Sequence, residues 1–368
     1  MNIQLRNSTK SALLAVVVLP ALVACGQDKK GGNAGASTPA AEAASAGVDL
    51  TAAGATFPYP IYSKWFATYA RQTSVKINYQ SIGSGGGIRQ LTEGTVDFGA
   101  SDAPMTDAEL AKAPRPILHF PTVLGAVVIT YNLPSVTKPL HLTGDVIAAI
   151  FSGEITKWND SRITSLNPDV SLPAKDILVV HRSDGSGTTY IFSDFLSAVS
   201  PAWAQHPGRG KELQWPIGLG AKGNEGVSGQ VKQTEGAIGY TELAYAVQNK
   251  LPVAAVKNAA GEFVTPSVQS ATAAAAGAAA KLPGNTDYRI SIVNAPGKGA
   301  YPISSFTWLL VYSSYPDAVK GKKIVDFLHW YLEHGEASAP SLDYAPLPQS
   351  MITRLESRIG QIKVGATT

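Results

Sequence analysis

The sequence predicts an α/β protein of two lobes, between which the chain crosses twice. Three observations carry this reading. Apolar runs of strand length alternate with amphipathic helical segments along most of the chain. Loops pairing glycine with small hydroxyl residues follow such strands both early, at 53–58 and 82–87, and in the middle, at 182–189. Strands near the carboxyl end must then pair with earlier ones. A bilobal arrangement satisfies all three, and small ligands usually sit between lobes.

Taken in order, residues 48–53 read as a short strand entering the first loop, and Pro58 suits a first helical turn. Ile61, Trp65, Phe66 and Tyr69 recur at helical spacing and should face the core. Residues 75–79 alternate as a strand, meet the second loop, and precede a helix with Ile88 and Leu91. Residues 96–100 are another short strand, and 117–131 is an almost unbroken apolar run, one or two buried strands. A short helix is expected at 145–151 and a buried strand at 177–180, running straight into Arg182. The helix after the third loop carries Ile191, Phe192, Phe195, Leu196 and Val199 on one face. A short strand at 236–240, an alanine-rich surface helix at 271–281, strands at 288–293 and 306–312, and an amphipathic helix at 318–334 complete the series.

The amino end reads as an export signal over 1–24. Arg6 and Lys10 precede an apolar run at 11–23 broken by Pro20, short of the ~20 residues that span a bilayer. It ends in Leu22-Val23-Ala24-Cys25, which resembles a lipobox, so Cys25 is the expected lipidation site. A periplasmic or cell-surface lipoprotein follows. Cys25 is the only cysteine, so the exported fold rests on its core without an internal disulfide. Residues 25–47 are rich in Gly, Ala, Ser and Thr and read as a flexible tether with a reach of roughly 25 Å. The net charge of +3 falls to about +1 once Arg6 and Lys10 leave. With no polybasic block, nucleic acid is excluded as a partner and any anion preference must be local.

Each glycine/hydroxyl loop offers backbone N–H groups, hydroxyl donors and the positive end of a helix dipole. Singly, such a loop is usually a turn with an N-cap; three together, with Arg182 on the third, point to one anion. Asp184 either orients the Arg182 guanidinium or caps the following helix. The segment 97–104 adds Asp102, a carboxylate out of place beside an anion unless that anion carries a proton. Gly218-Leu219-Gly220-Ala221-Lys222-Gly223 matches GxGxxG, but Trp215-Pro216 precedes it and no clear apolar helix follows, so a structural or closure-related loop is the better reading. There is no GxxxxGK[ST]. The six histidines form no metal-binding pattern, and no metal or other cofactor is expected. Ser186 near His181 invites a hydrolase reading, but GxSxG is absent.

These motifs in this order resemble the phosphate-binding proteins of the high-affinity phosphate ABC importers, the PstS type. The matching segments are 54–58, 79–87, 96–104, 120–122, 182–188, 215–223, 236–240 and 342–345, spread over the whole chain beyond the tether. The resemblance implies a type II periplasmic-binding-protein fold, each lobe a mixed, mostly parallel sheet flanked by helices, joined by a two-segment hinge. It implies lobes of 48–122 with 301–368 and of 123–300. It also implies phosphate ligands at Thr56, Phe57, Ser84, Asp102, Arg182, Ser186, Gly187 and Thr188. His181 stands where the family commonly has arginine, and Gly85 where a second serine is frequent; neither removes a ligand. The expected protein is a monomeric, non-enzymatic receptor that passes phosphate to ABC permease subunits.

The chemistry agrees. Ionised Asp102 accepts a hydrogen bond from a phosphate O–H, whereas sulfate near neutral pH has none to give. A site built for a particular O–H rejects the analogue lacking it by ~10⁴–10⁵-fold. Charge compensation falls to Arg182 and aimed backbone dipoles. A binding protein for another oxyanion (molybdate, tungstate or sulfate) and a secreted phosphatase remain the rival readings.

Overall fold

The long apolar run at 117–131 folds as a single strand, buried except at Leu118, and the two halves of the main sheet share it. The computed structural model describes residues 49–278 and 286–365. The expected signal at 1–24, the tether at 25–47 and Cys25 lie outside them. In chain order the strands are β1 (Leu50–Gly54), β2 (Ile77–Ser81), β3 (Phe98–Ser101), β4 (Ile117–Tyr131), β5 (His141–Leu142), β6 (Leu178–Arg182) and β7 (Leu219–Ala221). They continue with β8 (Ala237–Glu242), β9 (Ala255–Lys257), β10 (Phe263–Val264), β11 (Ser304–Tyr312), β12 (Ser314–Tyr315) and β13 (Lys363–Val364).

Eight of these form one sheet in the order β2-β1-β3-β11-β4-β8-β6-β7. At one end β1 runs parallel to β2 and β3; at the other β6 runs parallel to β7 and β8. Antiparallel pairs at the centre join the two groups. Strand β4 bonds to β11 over its first two-thirds and to β8 through Val127–Tyr131. The mixed α/β class expected from the sequence is therefore what forms. The three-stranded sheet β10-β9-β5 and the pair β12-β13 lie apart from the main sheet.

Helix Tyr59–Thr73 buries Ile61, Trp65, Phe66 and Tyr69, the four residues its spacing predicts, together with Tyr62. Trp65 stacks on Tyr331 at 5.6 Å, tying this helix to the carboxyl-terminal segment. Helices Gly144–Ser152 and Gly187–Val199 stand where expected.

Other elements depart from expectation. Residues 288–293 form no strand, because Tyr288 and Asn294 take φ of +66° and +50° and the Tyr288 carbonyl accepts from Trp308 Nε1 at 3.0 Å. The alanine-rich helix spans Val268–Gly277, shorter than expected; it exposes Gln269, Thr272 and Ala276 but buries Ala271, Ala274 and Ala275 against β4 and β11. Alanine allows that close approach without a large side chain to exclude. Residues 279–281 lie outside the described part. The expected helix at 318–334 is α-helical only over Ala318–Trp330, then passes through a π turn, Tyr331–Gly335, into 3₁₀ turns, Glu336–Leu342. Helix Gly223–Gln233 has too few apolar residues in sequence to announce itself, whereas Gln349–Ile359, also unexpected, buries Met351, Ile352, Leu355 and Ile359 at helical spacing.

Candidate functional site

Five loops leave the carboxyl ends of parallel strands β1, β2, β3, β6 and β7 and meet, as ligand-binding loops do in open α/β sheets. After β1, Gly54 has φ +153°, and a Cβ there would collide with the Ala100 backbone. This glycine turns the chain so that Thr56 and Phe57 lie buried. The Thr56 carbonyl accepts from Tyr245 Oη, and the Phe57 carbonyl from Tyr344 Oη, each at 2.6 Å. A planar trans peptide points its N–H opposite to its C=O, so the grip on the Thr56 carbonyl also aims the Phe57 N–H.

After β2, Gly83 at φ +87° leads into a helix that starts at Ser84. The fully buried Ser84 hydroxyl accepts from the Asp102 N–H at 3.1 Å and lies 3.4 Å from Asp102 Oδ2. Asp102 follows β3 and is 1% exposed. Its Oδ1 accepts from Thr307 Oγ1 at 2.7 Å. The β4–β11 register shifts beside Thr307, skipping Thr122, and bulges of this kind re-aim side chains near sites. Burial pushes the Asp102 carboxyl up to about 7, against the pull of Thr307, Arg182 and Ser84.

Arg182 closes β6 with its side chain 1% exposed. Nε and Nη2 donate to the two Asp184 oxygens at 2.7 and 2.5 Å, and Nη1 donates to Thr188 Oγ1 at 3.3 Å. Asp184 thus orients the guanidinium. The N-cap is Ser186, whose Oγ accepts from Thr189 N–H at 3.0 Å. Burial works against Asp184 ionisation, but Arg182 and the Gly223 N–H hold its carboxyl below the usual range. Gly187 starts the helix so close to the other loops that a Cβ would lie 2.5 Å from Ser84 Oγ and 2.6 Å from Asp102 Oδ2. The Gly85 N–H donates to the Gly185 carbonyl at 2.8 Å, joining the second and fourth loops directly. All eight residues named from the sequence are therefore brought into one cluster.

Sequence reasoning missed two members of it. Thr307 carries no signal, being one residue in an apolar strand. Asn224 directly follows the glycine motif 218–223, which itself contains β7 and opens the helix Gly223–Gln233 at its last glycine, so the motif is a strand and turn and not a loop between strand and helix. Only Val227 and Val231 mark that helix's apolar face, which hides it in the sequence. Asn224 is fully buried, and its Nδ2 donates to Thr56 Oγ1 at 2.8 Å and Thr188 Oγ1 at 3.1 Å.

The suspected hydrolase residues are engaged elsewhere. The His181 ring stacks on Trp215 at 4.7 Å with Nδ1 3.0 Å from the Arg182 carbonyl, and Ser186 Oγ serves its helix. Among the described residues no group of three or more His, Cys, Asp or Glu is placed to hold a metal ion, and no helix is long and apolar enough to cross a membrane. Since Asp184 already matches Arg182, and Asp102 adds a second carboxyl, this cluster is rich in N–H and O–H donors without a surplus of positive side chains. Such a cluster suits a protonated oxyanion better than a fully ionised one.

Comparison with known proteins agrees with this chemistry. A family model described as a PBP superfamily domain matches residues 38–333. A Xylella fastidiosa protein named phosphate-binding protein PstS is 46% identical, covering 88% of each chain. A Haemophilus influenzae protein of the same name is 44% identical over 84% of this chain and 92% of its own. Among solved structures, a high-affinity periplasmic phosphate-binding protein determined with phosphate bound aligns with a TM-score of 0.68 at 23% identity, covering 84% of this chain and 93% of that one. A human phosphate-binding apolipoprotein aligns with a TM-score of 0.66 at 22% identity, covering 84% and 94%. At those identities the structural likeness establishes the fold, that of the periplasmic binding proteins.

Proposed function

The chain belongs to the PstS family of phosphate-binding proteins, and on that premise we propose that it is an extracytoplasmic receptor that captures inorganic phosphate and delivers it to an ABC importer. The observation that carries this reading is Asp102, a buried carboxyl lying against Ser84 and Gly187 among loops otherwise full of donors. Phosphate near neutral pH retains a proton for that carboxyl. The proposed ligand set is Thr56 and Phe57, Ser84, Asp102, Arg182, and Ser186 with Gly187 and Thr188. Analysis of protein purified without added phosphate, followed by calorimetry with phosphate, sulfate and molybdate, tests it. Preference for sulfate or molybdate would reassign the site.

The receptor acts by closing two lobes, 48–122 with 301–368 and 123–300, about β4 and the segment entering β11. Support comes from the β4–β11 register shift at Thr307/Trp308, opposite Pro121, at the first proposed crossing. Proline there lacks an N–H for the ladder, and a bulge bends more readily than a regular strand. The receptor works as a monomer and is not an enzyme. Turnover of a chromogenic phosphomonoester that Ser186→Ala abolishes would overturn the latter. Cys25 lipidation tethers it at the membrane through 25–47, and Cys25→Ser should release the protein from the membrane fraction.

A further inference from the structure

The glycine motif at 218–223 stands outside the proposed ligand set, yet the residue after it holds two members of that set. The Asn224 amide is oriented without ambiguity: its Oδ1 accepts from the Glu242 backbone N–H at 3.0 Å, a group that only donates, and lies 3.1 Å from Thr241 Oγ1. The remaining amide atom is therefore Nδ2, whose hydrogens go to Thr56 Oγ1 and Thr188 Oγ1. Thr56 Oγ1 also receives the backbone N–H of Asn224 at 3.2 Å, and Thr188 Oγ1 receives Arg182 Nη1 at 3.3 Å. A hydroxyl oxygen has two lone pairs and one proton. In both threonines the lone pairs face groups that can only donate, so the O–H is all that each has left to offer.

We propose that Asn224 is a positioning residue that fixes the proton polarity of Thr56 and Thr188, making both hydroxyls obligate donors toward bound phosphate. This rests on the phosphate reading above. Asp102 then supplies the acceptor for a ligand O–H, and the two threonines cannot rotate to accept a second one. The donors are set before the anion arrives, which removes an ordering cost from binding. Thr241 and Glu242, at the end of β8, anchor the amide that does this.

Calorimetry with inorganic phosphate on wild type, Asn224→Ala, Thr56→Val/Thr188→Val and the triple variant tests the assignment. Asn224→Ala should weaken binding about tenfold in the wild-type background and less than about twofold where the hydroxyls are gone. Measured in an Asp102→Asn background, where only phosphate titrates, the Asn224→Ala loss should also shrink between about pH 8 and about pH 5.5, as phosphate gains a second proton that a freed hydroxyl accepts. Equal losses with and without the two hydroxyls, or at the two pH values, would overturn the proposal. Asn224→Ser carries the same cycle should thermal melting show Asn224→Ala unfolded. Wild-type protein that fails to bind phosphate would overturn the underlying reading, and this one with it; binding with uncoupled losses overturns only this one.

Discussion

Thr307 Oγ1 donates to Asp102 Oδ1 at 2.7 Å, which occupies one carboxyl oxygen and leaves Oδ2 beside Ser84 and the start of the helix at Gly187. The pairing makes Asp102 an acceptor by design of its surroundings. Burial nevertheless raises its pKa to about 7, so the same group can change role within an accessible pH range.

Selectivity should follow that change. Above about 7 the ionised carboxyl accepts from phosphate and opposes sulfate; below it, a neutral carboxyl donates to sulfate instead. Competition calorimetry should therefore show sulfate gaining on phosphate as pH falls. Asp102→Asn should bind sulfate better and keep only the pH dependence that comes from phosphate's own protonation. Unchanged selectivity in that variant would remove Asp102 from its role.

Stability of the unliganded protein should move with the same proton. The folded-state value of about 7 exceeds the ordinary 3.8, so the folded state binds more protons between these limits. The contribution of Asp102 is hence most favourable below 3.8 and is lost as pH rises through about 7. Asp102→Asn should melt higher than wild type at alkaline pH, by roughly 1–4 kcal/mol, with the gap closing toward pH about 4. Thermal melts across that range read it directly.

Arg182→Ala should weaken phosphate binding more than Ser84→Ala, roughly 100-fold against roughly tenfold. Removing the guanidinium also strands Asp184, whose two oxygens it holds at 2.7 and 2.5 Å, as an unpaired negative charge next to the anion site. Calorimetric losses of equal size would show that Arg182 is not the main charged donor.

Gly187→Ala tests how closely the loops approach. The added methyl would meet Ser84 Oγ at 2.5 Å and Asp102 Oδ2 at 2.6 Å, so the loops must separate. Phosphate affinity should fall by roughly 1–3 kcal/mol. Retained affinity would mean that the fourth loop does not close on the other two when phosphate is bound.

Much of this was legible beforehand where the residues carry their own signal. Trp65 and its neighbours show their helix by spacing, and the loop at 182–189 shows its charge, glycines and hydroxyls together. The strand-like alternation at 288–293 does not reveal that Tyr288 takes a left-handed backbone conformation. Alanines at 271, 274 and 275 give little hydrophobic contrast, so the buried face of their helix does not show in the sequence, although they allow it to pack closely on β4 and β11. The helix behind Asn224 was missed for a similar reason, its apolar face resting on two valines.

By itself the sequence determined the α/β class and the glycine/hydroxyl loops at strand ends, and its motifs carried the family resemblance that named the residues between 56 and 188. Those properties are local, being set by residue type and by position at the ends of strands. Only the tertiary structure decided that Asp184 holds Arg182 in place of capping a helix, that Thr307 orients Asp102, and that Asn224 joins Thr56 to Thr188. The last two are contacts between distant segments, the first a choice between two local partners, and hydrogen-bond direction becomes readable only when donor and acceptor are seen facing each other.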